Sequence, residues 1–294
     1  MTLRKTIFIT GGGSGIGRAV AQKFAVEGWF VGLADIDEAG MRATAALLPA
    51  GGSSMHKLDV RDRAAWDVAL AACAAQSGGR IDVVFNNAGI PLGGQITELS
   101  VAEIERCLDI NLKGVIFGAQ AAHPWLKASA PGSCLLNTAS AAGIYGTPGA
   151  SIYSATKFGV RAVTECLDAE WYADGIRVRD LMPGFIDTPL LDHAPNHQTN
   201  EDIRGRVTQA GLEVSPVSDV AQAAWAAVHG KKLHTLVGKT ARQMAFAARW
   251  LLVPRNPAVG STRCSTMPGS RLAARSPNSA WPRSSAVSIS TSKA

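Results

Sequence analysis

Short apolar runs of strand type recur at 5–10, 30–34, 54–58, 81–85, 133–138, 176–181 and 233–237, and longer stretches with helical spacing separate them, as at 15–28, 62–76, 101–127 and 151–173. Several of the short runs are apolar nearly throughout, which suits strands buried on both faces rather than strands with one wet side. Strands that alternate with helices pair in parallel, because each crossover helix carries the chain back to the same edge. The pattern therefore predicts an α/β fold: a doubly wound parallel sheet of about seven strands with helices on both faces. No internal repeat interrupts it.

A chain of 294 residues is long enough to bury such a core. No apolar run reaches the roughly 20 residues of a membrane span. Met1 leads almost directly into Thr6-Ile7-Phe8-Ile9 with no apolar leader or small-residue cleavage site, so a cytoplasmic location is expected. The formal charge of +6 is unevenly placed. All 23 acidic residues lie within positions 1–219, whereas 11 of the 29 basic residues fall in 220–294, which has no acid. The basic balance thus belongs to the C-terminal quarter and gives little reason to expect a nucleic-acid partner. From about Pro254 the chain turns rich in Ser, Pro and Arg, which reads as a disordered tail over 254–294 following one folded domain at 1–253. Just before it, Ala241–Leu252 has the look of a basic amphipathic helix that packs on the domain or on a subunit, with membrane-surface contact as the alternative. The five cysteines, Cys73, Cys107, Cys134, Cys166 and Cys264, stand singly and read as free, buried or partly buried thiols. The histidines are equally dispersed, so no metal is expected.

The first strand runs into Thr10-Gly11-Gly12-Gly13-Ser14-Gly15-Ile16-Gly17 and then a helix. Glycines at such a junction permit a tight turn and a close backbone approach to a pyrophosphate. The helix N-terminus supplies N–H groups and positive potential. The spacing is T-G-x-x-x-G-x-G, framed by Gly11, Gly15 and Gly17, and here the chain resembles the short-chain dehydrogenase/reductase family in its compact single-domain branch. The resemblance spans about residues 3–240. It implies a Rossmann-type fold, a nicotinamide cofactor and oxidoreductase activity.

Asp35, at the end of the second strand, can accept hydrogen bonds from ribose hydroxyls and would repel a 2′-phosphate. Ile36 follows it and Ser14 occupies the loop, so neither position offers a cation for that phosphate; NAD is favoured over NADP. In family terms Asp59 and Val60 resemble the adenine-contacting pair, and an N-cap role for Asp59 is equally open. Asn86-Asn87-Ala88-Gly89 matches the family's NNAG motif: Asn87 is similar to the residue that touches the cofactor ribose, and Ala88 and Gly89 let the backbone pass close.

Tyr153 and Lys157 are four residues apart and share one helix face. A free phenol, with a pKa of about 10, is a poor base near neutrality, and a neighbouring ammonium lowers that value. Ser140 precedes Tyr153 by the family's spacing and is similar to its catalytic serine, in preference to Thr138. Asn111, in Asp109-Ile110-Asn111-Leu112-Lys113-Gly114, resembles the fourth catalytic residue, whose water joins the lysine to solvent. Pro183-Gly184-Phe185-Ile186-Asp187-Thr188 is similar to the family's PG motif, with Ile186 and Thr188 placed to orient the nicotinamide carboxamide. The expected function is hydride transfer between NAD and a small-molecule secondary alcohol or ketone of moderately apolar character. The alternative is a non-catalytic NAD-binding sensor or scaffold of the same fold. The resemblance also implies a homodimer or homotetramer through the helices at 101–127 and 151–173.

Overall fold

A strand whose middle is apolar on both faces must be covered on both sides, and Thr6-Ile7-Phe8-Ile9-Thr10, with three apolar residues in a row, is such a strand. In the computed structural model, which describes residues 4–250, it forms β1 (Thr6–Thr10), buried at every position. It is followed by α1 (Gly15–Val26), β2 (Phe30–Asp35), α2 (Glu38–Ala45), β3 (Ser53–Lys57), α3 (Arg63–Gln76) and β4 (Val83–Asn86). Then come α4 (Val101–Leu108), α5 (Gly114–Ala128), β5 (Cys134–Thr138), α6 (Ser151–Glu170) and β6 (Arg177–Pro183). The remaining elements are β7 (Phe185–Ile186), α7 (Ile203–Gln209), β8 (Val214–Ser215), α8 (Val217–His229), β9 (His234–Val237) and α9 (Lys239–Trp250).

Seven strands form one sheet in the order β3-β2-β1-β4-β5-β6-β9. Every pairing in it is parallel. Side chains alternate across it as period two requires. Ile7, Ile9, Val31, Leu33 and Leu136 join α1 and α8 in one core; Phe8, Phe30, Leu135 and Val178 join α3 and α5 in the other. The strand order reverses between β1 and β4, which opens a crevice at their C-terminal ends, where ligands of doubly wound sheets bind. The seven expected strands are thus present, each within about two residues of its predicted bounds.

The structure corrects the reading elsewhere. The single helix expected over 101–127 is two helices joined by a π turn at Asp109–Lys113. The helix expected at 151–173 ends at Glu170. The sequence reading missed the short pair β7–β8, parallel through Phe185↔Val214 and Ile186↔Ser215. Of the cysteines described, Cys73, Cys107 and Cys134 are buried free thiols, whereas Cys166 is exposed. Among the described residues no helix is long and apolar enough to cross a membrane, and no group of three or more His, Cys, Asp or Glu is placed to hold a metal. The expected tail at 254–294, its boundary at 253 and Cys264 lie outside the described residues, as do Leu251 and Leu252 of the helix expected to end there.

Candidate active site

The glycine loop is packed as tightly as glycine allows. Gly11 takes φ +66° and Gly15 φ +48°, left-handed values that other residues adopt at a cost. A Cβ on Gly17 would lie 2.0 Å from the Gly11 carbonyl oxygen, so the first turn of α1 rests on the loop itself. Ser14 begins α1 in extended backbone and its side chain makes no capping bond, which leaves the helix N-terminus open to an anion. Arg18 ties the loop down from the other side, its Nη2 donating to the Gly13 carbonyl at 2.5 Å.

Asp35 closes the far wall. Its Oδ2 accepts from the Gly13 amide at 2.9 Å and its Oδ1 from the Asp37 amide at 3.0 Å. The cap of α2 is Asp37, not Asp35. Asp59 is likewise no helix cap. Asp62 caps α3 by accepting from the Ala64 and Ala65 amides, while Asp59 pairs with Arg61 at 2.6 Å. The Arg61 hydrogen bond is what holds the Asp59 carboxyl below its ordinary value. The N-cap alternative for Asp59 is therefore excluded, because Asp62 stands in the extended backbone just ahead of the helix. Val60 is buried against Gly114, and its carbonyl accepts from the Trp66 indole at 3.1 Å.

The NNAG residues are held from below by polar side chains. Thr10 Oγ1 accepts from the amides of Asn87 and Ala88 at 3.0 and 3.1 Å. The Asn87 amide donates to the Thr10 carbonyl at 3.0 Å, and its oxygen accepts from the Thr138 hydroxyl at 3.2 Å. Asn86 donates to Asn137 Oδ1 at 3.0 Å, and Asn137 donates to Thr164 Oγ1 at 2.9 Å. This chain links β4, β5 and α6 directly beneath the site. The sequence reading missed Thr10 as its anchor.

Ser140, in extended backbone after β5, accepts from the Ala142 amide at 3.1 Å and starts the 3₁₀ turn Ala141–Gly143. Gly143 lets that turn touch α6, since a Cβ there would lie 2.7 Å from the Lys157 carbonyl oxygen. Tyr153 and Lys157 sit one turn apart on α6, with the ammonium 5.6 Å from the centre of the phenol ring. Lys157 is buried, and its Nζ donates to the Thr138 carbonyl at 2.8 Å. Burial dominates both groups: it pushes the Tyr153 phenol up to about 12, against a smaller opposing pull from the Ser140 hydroxyl, and it pushes Lys157 down to about 8. The lowering of Tyr153 expected from its lysine is thus not found in the protein alone, where desolvation sets the direction.

Asn111 lies at the centre of the π turn and is fully buried. Its amide donates to the Ile90 carbonyl and accepts from the Ile90 amide, both at 2.9 Å, and donates to Cys107 Sγ at 3.4 Å. Gly89 joins the groups, because a Cβ there would lie 3.3 Å from Asn111 Oδ1 and 3.8 Å from Lys157 Nζ. On the far side Pro183 ends β6, and Gly184 donates to the Val237 carbonyl at 3.0 Å. Ile186 and Thr188 are buried, and Thr188 Cβ comes within 3.3 Å of where a Gly15 Cβ would stand. The PG segment therefore returns to the glycine loop.

A parallel sheet of this order, with a glycine loop at its reversal, defines a Rossmann-type fold, the class that binds dinucleotides at its switch point. The chain belongs to the short chain dehydrogenase family, whose model matches residues 5–199. It is 34% identical over 191 residues to meso-2,3-butanediol dehydrogenase of Serratia marcescens, covering 65% of this chain and 75% of that enzyme. It is 37% identical over 192 residues to 3-alpha-(or 20-beta)-hydroxysteroid dehydrogenase of Mycobacterium tuberculosis, covering 65% and 72%. In structure it is similar to a short chain dehydrogenase/reductase from Burkholderia phymatum in complex with NAD, with a TM-score of 0.75, 28% identity, and 84% of this chain and 92% of that one covered.

Proposed function

We propose that the protein is an NAD-dependent dehydrogenase or reductase that interconverts a secondary alcohol and its ketone, with Tyr153 as the general acid and base. The observation that carries this reading is a buried amine held by a neutral group. Lys157 is 4% exposed and its nearest acceptor is the Thr138 carbonyl rather than a carboxylate. A buried ammonium without a counter-ion is costly, and such groups gather at functional sites.

The residues fit a bound dinucleotide. Gly11, Gly15 and Gly17 let the loop fold tightly on itself and on Asn87 and Thr188 ahead of the uncapped N-terminus of α1, and Gly89 brings the backbone close to Lys157 and Asn111. Ser14 and Ile16 line the pyrophosphate turn. Asp35, already oriented by two backbone amides, accepts from the adenosine ribose and disfavours the extra phosphate of NADP. Asp59 and Val60 flank the adenine; Asn87, Ala88 and Gly89 form the ribose wall; Pro183, Gly184, Ile186 and Thr188 orient the carboxamide. Bound NAD supplies the hydride acceptor and a cationic ring that lowers the phenol pKa.

Tyr153 takes the substrate hydroxyl proton during oxidation and returns it during reduction. Ser140 donates to the same oxygen as its charge grows. Lys157 stabilises the phenolate and passes the proton onward. Asn111, anchored on Ile90 and Cys107 at the π turn, is the residue through which a water would join this relay to solvent. Leu92 and Leu191 are buried in the segments after the NNAG and PG motifs, which supports a moderately apolar substrate. The alcohol substrates by which two relatives are named, a butanediol and a hydroxysteroid, support an alcohol substrate. Assembly into a dimer or tetramer draws support from Leu108, Ile116 and Phe158, exposed on α4, α5 and α6.

The test is Tyr153→Phe. NADH affinity, read by fluorescence, stays within about threefold, while turnover of a responsive alcohol or ketone falls by about 10² or more. A kcat near that of the wild type would overturn the assignment. The responsive substrate comes from a screen of secondary alcohols and ketones with NAD(H), followed by absorbance of the reduced cofactor.

A further inference from the structure

Three loops leave the site and meet again at one point. Gly93 lies four residues after Gly89, Gly149 four before Tyr153, and Pro195 seven after Thr188. Gly93 donates its amide to the Pro195 carbonyl at 2.9 Å, and Gly94 donates to the Gly149 carbonyl at 2.7 Å. Asn196 Nδ2 donates to the Gly93 carbonyl at 2.6 Å, while its Oδ1 accepts from the Gln198 amide at 2.8 Å. The fit excludes larger residues: a Cβ on Gly93 would lie 3.0 Å from Pro195 Cβ, and one on Gly94, at φ +137°, would lie 2.4 Å from Asn196 Nδ2.

A second tie lies one residue further on. His197 donates its amide to Glu103 Oε1 at 2.9 Å, and its Nδ1 lies 2.8 Å from Glu103 Oε2. Glu103 is itself fixed by the Ser100 capping box at the start of α4. Burial raises this carboxyl, but the bonds from Ser100 and His197 outweigh it and hold it down to about 2. Gln198 Nε2 adds a bond to the Glu98 carbonyl at 3.0 Å. The segment after Thr188 is therefore strapped across the crevice by polar bonds. Such bonds are individually weak in water and reversible, unlike buried apolar packing.

We propose that Asn196, seated on the Gly93–Gly94 pair, sets the size of the substrate by holding this strap across the mouth of the site, with the His197–Glu103 pair as its outer anchor. This rests on the reading of the crevice as an alcohol dehydrogenase site. With the strap held, the three loops form a closed wall and the site takes small acyclic alcohols, such as a four-carbon diol. Bulky fused-ring alcohols enter only when the strap releases.

Asn196→Asp isolates the claim. It keeps the size and the acceptor for Gln198 but cannot donate to Gly93, and it sets a negative charge against that carbonyl. His197→Gln tests the outer anchor without touching the inner one. Hydrogen exchange of the amides at 93, 94 and 197 should quicken at least tenfold in Asn196→Asp, read with and without NADH so that failure of cofactor binding and failure of the strap are separate results. The ratio of kcat/KM for a hydroxysteroid to that for butane-2,3-diol should rise about tenfold, with a smaller rise in His197→Gln. Unchanged exchange overturns the proposal with no substrate needed. A size ratio that stays within twofold while exchange quickens overturns it too.

Discussion

Replacing Lys157 by methionine tests how much folding stability the site gives up to keep a buried amine. Methionine matches the stem in length and volume and cannot titrate. In the folded chain the amine falls from 10.5 to about 8 because of burial. At ~1.4 kcal/mol per pH unit this amounts to ~3 kcal/mol. A depressed folded value gives stability that is present above the ordinary value and lost as pH falls through the folded one. Wild-type protein therefore gains stability as pH rises from 8 toward 10.5, because over that window the unfolded chain binds a proton that the folded chain does not. The variant lacks this gain. It also leaves the Thr138 carbonyl without its donor, a loss of ~1 kcal/mol that does not vary with pH and so drops out of the comparison. Tyr153, pushed up to about 12, adds stability below its ordinary value of 10.0 and begins to lose it above. Measurements should thus stop at pH 10. Urea unfolding of both proteins without cofactor, at intervals from pH 7.5 to 10, should show the difference between them moving toward the wild type by ~2 kcal/mol. Parallel pH profiles would refute the reasoning, since they would mean that Lys157 is solvated or paired in the folded state.

Other changes separate cofactor recognition from architecture. Asp35→Ala removes the acceptor of the Gly13 amide together with the proposed ribose partner; kcat/KM with NAD should fall about 10- to 100-fold while that with NADP rises, and an unchanged ratio of the two would remove Asp35 from cofactor choice. Gly17→Ala forces a Cβ onto the Gly11 carbonyl, so NADH affinity by fluorescence titration should weaken at least about tenfold with a lower Tm, and wild-type affinity would contradict the packing described. Asp62→Ala should cost about 1 kcal/mol in urea unfolding with cofactor affinity unchanged, because it caps α3, whereas Asp59→Ala should weaken NADH binding with little change in stability. The reverse outcome would exchange their roles.

The parts of this molecule that repeat along the chain were legible before any coordinates. Strands such as Val83–Asn86 are buried at every position and announce themselves by an apolar run, here Val83-Val84-Phe85. The T-G-x-x-x-G-x-G loop stands out by its place between strand and helix, while the Tyr153–Lys157 pair shows a shared helix face by its spacing and takes its role only from the resemblance to the family. What escaped depends on contacts between distant residues. Helical periodicity runs on both sides of Asn111, so nothing in the spacing marks the π turn, which answers to Ile90, 21 residues away. Asp59 and Asp62 both stand ahead of α3, and only the folded backbone shows which one faces the Ala64 amide. The sign of the shift on Tyr153 could not be read either, because proximity of a lysine is visible in sequence and depth of burial is not. The strap at Gly93, Gly149 and Asn196 leaves no periodic signal at all.

The amide chain from Asn86 through Asn137 to Thr164 has a consequence for how such a protein can change. Apolar contacts tolerate small slides, but a directional bond stretched by an ångström is lost. Bolting two strands and a helix together in this way fixes the heights of the NNAG turn, the serine and the tyrosine relative to one another. On the function proposed above, new specificities can then be built by rewriting the segments at 143–149 and 190–213, while the distances that the proposed chemistry demands stay put. A substitution in the bolts, far from any bound molecule, would misalign the reacting groups without altering what the rim admits.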